Sequence, residues 1–282
     1  MGWSSETHKA LSSHYAKSYD IDYGRNATVL YMDYEKRVIE QGVMGLPRKR
    51  TAVDVGSGTG RCAFSLSPLF QKVVGFDFAP EMVSKAKAKA VDQGIANITF
   101  VQRDVNADGV KPDRISDVDF FNFAFGMGSF IENISGLAAQ LESILAPGGQ
   151  VHITFYNKES FVYEACAEAS AELLNALGVS AIPVYGKDLL RVLAEPCEET
   201  NGRPYYEIPC KYYTKQELTE LFGQSFEILR MATFPTLSPL VYPGFMKVGT
   251  LSSFLEQCDQ GIADENKGYY ISVLLRNKKG DG

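Results

Sequence analysis

Several features that would mark a special environment or chemistry are missing from the sequence. Its 5 cysteines, at positions 62, 166, 197, 210 and 258, form no Cys-x-x-Cys pair and no metal-ligand spacing, so neither a zinc site nor a disulfide framework is predicted. No apolar run approaches the roughly 20 residues of a membrane-spanning helix, and the polar N-terminus lacks the apolar segment of a signal peptide. We therefore expect a soluble cytoplasmic protein with reduced thiols, no bound metal and no membrane partner.

Positive charge is also scarce. The 28 Lys and Arg residues are outnumbered by 34 Asp and Glu, which gives a net charge of −6. Proteins that bind nucleic acid need clustered basic side chains for the phosphates. The basic triplet Arg48–Arg50 is explained by a solvated approach to the strand that follows it. The composition therefore argues against a nucleic-acid partner.

What the chain does have is a glycine turn after its first predicted strand. Thr51–Val55 is a short, β-branched apolar run, typical of a buried strand. Gly56, Gly58 and Gly60 follow it at alternating positions, and a helix is predicted from residue 61 to 69. A glycine turn between a strand and a helix brings backbone N–H groups close to a nucleotide-like ligand, although it could serve chain reversal alone.

Two acids accompany this turn. Asp77 ends the next predicted strand, residues 72–76, and lies 21 residues beyond Gly56. Adjacent parallel strands end side by side, so a carboxylate at this point can reach the ribose hydroxyls of a bound cofactor. Asp54 lies inside the first strand, where we expect it to brace the backbone N–H groups of the turn.

Together the segments Val53–Gly60 and Gly75–Met82 resemble the cofactor-binding motifs of class I S-adenosylmethionine (SAM)-dependent methyltransferases of the small-molecule type. Leu145–Gly149, before the fifth predicted strand, resembles another recurrent turn of that family. The family implies an α/β fold: a Rossmann-like, doubly wound sheet of about seven strands, mostly parallel, with an antiparallel last strand. It also implies SAM as cofactor, with S-adenosylhomocysteine as product.

The resemblance also assigns binding roles to individual residues. Asp104 takes the place of the acid that binds the adenine amino group, next to the backbone N–H of Val105, although an aspartate in a surface turn is the alternative. Asn122 and Phe123, at the end of the fourth strand, take the place of the methionine side of the site. The full set of expected cofactor-binding residues is Tyr19, Asp54, Gly56, Gly58, Gly60, Asp77, Phe78, Met82, Asp104, Val105, Asn122 and Phe123.

Residues 1–47 are predicted to be largely helical and are rich in tyrosine. His14–Asp20 resembles the aromatic segment that many small-molecule methyltransferases fold over their cofactor, and Tyr19 is the residue expected to reach it. A helix that packs its aromatic stripe on the core is the alternative interpretation.

No general base is evident. Gly126–Ser129, after the fourth strand, has no histidine where quinone-type O-methyltransferases often have one, and it also lacks the Asp/Asn-Pro-Pro-Tyr/Phe turn of nucleic-acid amino-methylating enzymes. His14 and Tyr19 remain as candidates for a catalytic role. His152 lies early in the fifth strand and is predicted to be structural. Phe125, Tyr156 and Tyr242 are the expected substrate contacts.

The predicted fifth strand is followed by an insertion, residues 157–212, which we interpret either as a cap or lid over the substrate or as an oligomer contact. With this insertion the chain is predicted to form one domain, residues 1–282. The function that the sequence favours is methyl transfer from SAM to a small-molecule N or O acceptor. The alternatives are an NAD(P)-dependent oxidoreductase, against which Arg61 in place of the third fingerprint glycine counts, and a non-catalytic methyltransferase-like binding subunit.

Overall fold

The structure, a computed structural model, describes residues 6–17, 19–20, 28–113, 115, 117–160, 181–184, 188–193, 205–234 and 267–278. Much of the insertion predicted for residues 157–212 and the expected substrate residue Tyr242 lie outside these ranges. The helices are α1 (Glu6–Tyr15), α2 (Thr28–Met44), α3 (Arg61–Leu66), α4 (Pro80–Asp92), α5 (Val105–Asp108), α6 (Ile134–Ile144) and α7 (Lys215–Phe222), with 3₁₀ turns at Ser67–Leu69 and Met127–Phe130.

The strands are β1 (Thr51–Val55), β2 (Lys72–Asp77), β3 (Ile98–Gln102), β4 (Val118–Phe123), β5 (Leu145–Asn157), β6 (Ala181–Val184), β7 (Leu189–Leu193), β8 (Tyr205–Pro209), β9 (Tyr212–Tyr213), β10 (Phe226–Phe234) and β11 (Tyr270–Asn277). The main sheet has the order β10-β11-β5-β4-β1-β2-β3. The five strands from β5 to β3 in this order are parallel, whereas β11 runs antiparallel to both of its neighbours. The predicted Rossmann-like sheet with an antiparallel last strand is confirmed.

Helices cover both faces of this sheet. On one face, Ile39 of α2, Leu66 of α3 and Val83 of α4 pack with Ala52 of β1 in one apolar cluster. On the other face, helices α6 and α7 pack against Val53 of β1 and its neighbours in a second cluster. Because both faces are covered, every residue of β1 is buried, and this explains why the strand is nearly continuous in apolar residues.

Register brings the predicted site residues to one edge of the sheet. Asp54 of β1 pairs with Gly75 of β2 and with Asn122 of β4. The carboxyl ends of β1, β2 and β4 therefore lie side by side, and Asp77 of β2 pairs with Gln102 of β3 in the same way. Open α/β sheets bind their ligands at this edge.

The insertion forms a small sheet of its own. Strands β6, β7 and β8 pair antiparallel in that order, and β9 extends the main sheet by pairing with the end of β5. Leu190 of β7 and Ile208 of β8 pack with Leu11 of α1 and Tyr156 of β5. The insertion thus covers the carboxyl end of β5 together with the N-terminal helix, and its role as a lid or as an interface stays a prediction.

A row of buried polar side chains runs across neighbouring strands of the sheet. Asn122 Nδ2 donates to Asp54 Oδ1 at 2.7 Å, Asn122 Oδ1 lies 2.8 Å from His152 Nδ1, and His152 Nε2 lies 3.1 Å from Ser272 Oγ. All four residues are buried. Burial lowers the pKa of His152 to about 4. The predicted structural role of His152 is confirmed, because both of its ring nitrogens are used inside the sheet.

None of the helices in the described ranges combines the length and the apolar character needed to cross a bilayer.

Helix α7 begins with a capping box. Thr214 Oγ1 accepts from Glu217 N at 3.1 Å, and the Glu217 carboxylate accepts from Thr214 N at 2.8 Å. We expect Thr214→Ala to lower the free energy of unfolding by about 1 kcal/mol, because it removes one partner of the box. Urea denaturation measures this change. Thr214→Ser, which keeps the hydroxyl, is the control; an equal loss in both variants would contradict the role of the box.

Candidate functional site

The glycine turn after β1 has the conformation that only glycine adopts readily. Gly56, Gly58 and Gly60 have φ values of 69°, 53° and 97°, in the region where an L side chain is strained. A Cβ on Gly56 would lie 2.6 Å from Met127 Sδ, whereas a Cβ on Gly58 would lie 3.8 Å from the ring of Tyr19. The turn therefore brings its backbone close to the 3₁₀ turn Met127–Phe130 on one side and to the N-terminal segment on the other.

Asp77 holds this turn. Its Oδ2 accepts from Gly58 N at 2.8 Å, and its Oδ1 accepts from Ala79 N at 2.9 Å. Burial raises the pKa of Asp77 to about 6, although the two N–H donors favour the ionised form. The carboxylate therefore links the glycine turn of β1 to the beginning of α4. Asp77 therefore braces the turn at Gly58, and a brace by Asp54 stays a prediction.

The side chains of Asp54, Asn122 and Phe123 are buried between the sheet and the helices that cover its faces. Asp54 is buried and receives the amide of Asn122, and burial raises the pKa of its carboxyl to about 7. Asn122 uses both ends of its amide within the polar row, and Phe123 belongs to the apolar core. The side chains of Asn122 and Phe123 are thus engaged within the fold, and their contact with the methionine side of a cofactor stays a prediction.

The adenine end of the predicted site lies at the tips of β2 and β3. Asp104 caps α5, with Asn106 N donating to its Oδ1 at 3.0 Å. Its neighbour Val105 is partly buried against the core. Phe78 packs against a small cluster that includes Met82. Asp104, Val105, Phe78 and Met82 are thus brought to neighbouring positions, and their contact with a cofactor stays a prediction.

Sequence analysis missed one residue at this end of the site. The ring centroid of His8, in α1, lies 4.9 Å from that of Phe78 and 5.1 Å from that of Phe130. Burial lowers the pKa of His8 to about 4, while the charge of Asp104 acts in the opposite direction. A histidine in a short polar helix gives no sequence signal of this position, which results from the way α1 docks on the sheet.

A hydrogen bond and two ion pairs of Asp20 hold the N-terminal segment against the glycine turn. Thr59 Oγ1 donates to Asp20 Oδ1 at 2.6 Å, and both Lys85 and Lys89 of α4 form ion pairs of 3.2 Å with Asp20. Lys85 Nζ also donates to the carbonyl of Ala16 at 2.9 Å. Because the segment is held in this way, Tyr19 lies beside Gly58, as expected of a residue that reaches the ligand.

His14, the other candidate for a catalytic role, is exposed on α1. Its described ring contact is with its own neighbour Tyr15, at 5.8 Å between centroids. A catalytic role of His14 stays a prediction.

Aromatic rings gather at the ends of β4 and β5, where the substrate contacts are predicted. The Phe125 ring lies 5.4 Å from that of Tyr31 and 5.7 Å from that of Tyr270, and the Tyr156 ring stacks on Tyr270 at 5.2 Å. Phe125 has a φ of 58°, which is unusual for a side chain other than glycine. Strained backbone of this kind is frequent at functional sites. The two expected substrate residues that the structure describes, Phe125 and Tyr156, thus belong to one aromatic cluster.

A buried acid, also missed by sequence analysis, fixes this strained turn. Glu35 of α2 accepts at Oε1 from Phe125 N and from the hydroxyl of Tyr31, both at 2.7 Å, and at Oε2 from Arg61 Nη2 at 2.7 Å. Burial opposes the ionisation of Glu35, but the charge of Arg61 and these donors keep its pKa below the usual value. The sequence does contain a signal for the burial of Glu35, because its helical spacing places it on the same buried face of α2 as Tyr31 and Val38.

Within the described ranges, no group of three or more His, Cys, Asp or Glu side chains is arranged to hold a metal ion. The two cysteines described there, Cys62 and Cys210, are buried and unpaired with each other.

Comparison with known proteins agrees with this arrangement. Residues 52–149 match the family model described as a methyltransferase domain. This range begins in β1 and ends at the turn inside β5, so it contains the glycine turn, Asp77 and Asp104.

Curated relatives are methyltransferases as well. The chain is 30% identical over 120 residues to the demethylmenaquinone methyltransferase of Thermus thermophilus, which covers 42% of this chain and 51% of that protein. It is 27% identical over 157 residues to methyltransferase cfoB of Aspergillus candidus, with 51% and 47% of the two chains covered. The chain therefore spans about half the length of the curated relatives it matches.

Solved structures share the fold. The DhpI complex with S-adenosylhomocysteine superposes with a TM-score of 0.57 at 16% identity and covers 97% of both chains. A SAM-dependent methyltransferase from Clostridium acetobutylicum gives a TM-score of 0.55 at 15% identity and covers 96% of this chain and 98% of its own.

The raised pKa of Asp54 makes stability depend on pH. Its carboxyl has a pKa of about 7 in the folded protein against an ordinary 3.8, so the folded state binds this proton more tightly than the unfolded chain. The contribution of Asp54 to the free energy of unfolding is therefore largest at acid pH and falls as the pH rises between these two values.

We expect Asp54→Asn, which keeps an oxygen for the amide of Asn122, to reduce this fall by a few kcal/mol. Urea denaturation from acid to neutral pH measures it, with the exposed Asp92→Asn as the matched control. A pH profile parallel to that of the native protein would contradict the assignment.

Proposed function

Since residues 52–149 match the methyltransferase domain model, we propose that this chain is a class I SAM-dependent methyltransferase and that it transfers the methyl group of SAM to a nitrogen or oxygen atom of a small-molecule acceptor. SAM supplies a methyl group on a positively charged sulfur, which is displaced in line by the acceptor. The task of the protein is to bind, to orient and to exclude water. Alignment of reacting groups alone can contribute about 7–11 kcal/mol to lowering the barrier.

The observation that carries this proposal is the placement of Asp77. Each of its oxygens accepts one backbone N–H, from Gly58 and from Ala79. A carboxylate has about four acceptor positions, so two remain for the ribose hydroxyls of the cofactor. The same carboxylate thus shapes the turn and offers acceptors at its open side, next to the position where Gly58 has no side chain.

The adenine is assigned to the tips of β2 and β3. Asp104 offers a carboxylate for the amino group, and the backbone N–H of Val105 follows it. Phe78 offers an apolar ring on one side, and His8 lies against that ring at 4.9 Å. This half of the proposal agrees with the methyltransferase domain match and argues against the NAD(P)-dependent oxidoreductase alternative.

The acceptor is assigned to the aromatic cluster around Phe125 and Tyr156. Rings at the end of β4 and β5 exclude water and favour an acceptor with an aromatic or otherwise apolar body. The net charge of −6 agrees with a small molecule as acceptor and not with a nucleic acid.

Among the described residues near this cluster, three side chains with a phenol or carboxylate group are poorly suited to remove a proton from the acceptor. Burial raises the pKa of Tyr31 and that of Tyr212 above the usual value of a phenol, and both oxygens of Glu35 are already engaged. The acceptor is therefore one that arrives with its own nucleophile, such as a neutral amine, a carboxylate or an acidic phenol.

The first test concerns Asp77. We expect Asp77→Ala to weaken the binding of S-adenosylhomocysteine by more than about tenfold, because two charge-assisted hydrogen bonds to ribose and the brace of Gly58 are lost together. Since the pKa of Asp77 is about 6, binding to the native protein should also weaken as the pH falls below that value. Isothermal titration calorimetry measures both effects.

Asp92→Ala, at the exposed end of α4, is the matched control and should leave the dissociation constant unchanged. NADH is the comparison ligand. Tight binding of NADH together with no binding of S-adenosylhomocysteine would refute the methyltransferase proposal.

The second test concerns the acceptor. With SAM labelled in its methyl group, we expect transfer to pools of amines, carboxylates or acidic phenols, and none to aliphatic alcohols, because an alcohol needs a base to remove its proton. Scintillation counting after extraction measures the transfer. Comparable labelling of aliphatic alcohols would contradict the absence of a base, and no labelling of any pool would favour a non-catalytic binding subunit.

A further inference from the structure

Arg61 occupies a position that the proposed function leaves unused. It is the first residue of α3 and follows the last glycine of the turn directly. Its side chain is 31% exposed, and Nη2 donates to Glu35 Oε2 at 2.7 Å. Among the described residues this is the one hydrogen bond of its guanidinium group. An arginine has five N–H donors, so most of them remain available.

Arg61 lies directly beyond the glycine turn. It follows Gly60 in the chain, and two residues before Gly60 the position of a Cβ on Gly58 lies 3.8 Å from the ring of Tyr19. A cationic group so close to a glycine turn is suited to an anionic part of the ligand.

Glu35 connects Arg61 to the tip of β4. One carboxylate oxygen of Glu35 binds Arg61 and the other binds Phe125 N, so the guanidinium group is held close to the strand end that the family resemblance assigns to the methionine side. With adenine at the tip of β3 and ribose at Asp77, the amino-acid end of the cofactor extends toward this pair.

We propose that Arg61 binds the carboxylate of the amino-acid end of SAM, and that Glu35 is the positioning residue that holds Arg61 and the Phe125 turn in place for it. This inference rests on the proposed function. It assigns to the arginine that replaces the third glycine a role in binding: its guanidinium group can donate to two carboxylates at once, one from the protein and one from the ligand.

Two ligands distinguish the proposed contact of Arg61 with the carboxylate from the other contacts of the cofactor. S-adenosylhomocysteine carries the amino-acid end, whereas 5′-methylthioadenosine has the same adenosyl thioether without it. We expect Arg61→Met to weaken the binding of S-adenosylhomocysteine by about tenfold or more, which is the effect of one lost charge-assisted contact. The affinity for 5′-methylthioadenosine should change by less than about twofold, which is below the effect of one ordinary hydrogen bond. Calorimetric titration of both ligands measures the difference.

Three further variants keep the test interpretable. Arg61→Lys retains a charge beside Glu35 but loses the planar fork, and should show a smaller selective loss. Glu35→Gln retains an acceptor for Phe125 N and should also weaken S-adenosylhomocysteine selectively, because Arg61 loses its charged anchor. Arg276→Met removes an exposed arginine that pairs with Glu227 at the opposite edge of the sheet and should change neither affinity.

Equal weakening of both ligands by Arg61→Met and Arg61→Lys would overturn the inference, because it would mean that Arg61 supports the turn and not the carboxylate. Unchanged affinity for both ligands would overturn it as well. Failure of the native protein to bind either ligand would instead contradict the proposed function itself, so the two failures are distinguishable.

Discussion

The hydrogen bonds of one carboxylate hold the candidate site together. Asp77, at the end of β2, accepts from Gly58 N in the turn after β1 and from Ala79 N before α4. A glycine turn has little intrinsic preference for one conformation, because glycine loses more backbone entropy on ordering than any other residue. The buried carboxylate fixes the turn to the neighbouring strand. The conformation of the turn, in which Gly58 faces Tyr19, depends on this contact.

Buried charge is arranged in a second group around Glu35. Here α2, α3 and the tip of β4 converge on one carboxylate, which receives Tyr31, Arg61 and Phe125 N. Removing one partner of such a group leaves an unpaired buried charge, which is costly. The N-terminal helices therefore do more than cover the sheet. Through Glu35, helix α2 holds Phe125, just after β4, in its strained conformation.

The sequence predicted the sheet, the glycine turn and the acid at Asp77 because each has a local pattern: apolar strands, glycines at fixed spacing, and a carboxylate at a strand end. It could not predict the direction of individual side chains. Asn122 and Phe123 lie at the expected strand end, but strand side chains alternate between the two sides of the sheet. Asn122 binds Asp54 and His152, whereas Phe123 packs in the apolar core.

By itself, the sequence determined which elements form and which of them end together at one edge, since hydrophobic periodicity and turn residues act over a few positions along the chain. Only the tertiary structure decided that His8 lies on Phe78, that Asp20 fastens the N-terminal segment to Thr59, and that Glu35 joins Arg61 to Phe125. These partners are far apart in the chain. Their contacts follow from how the helices dock, which no local pattern encodes.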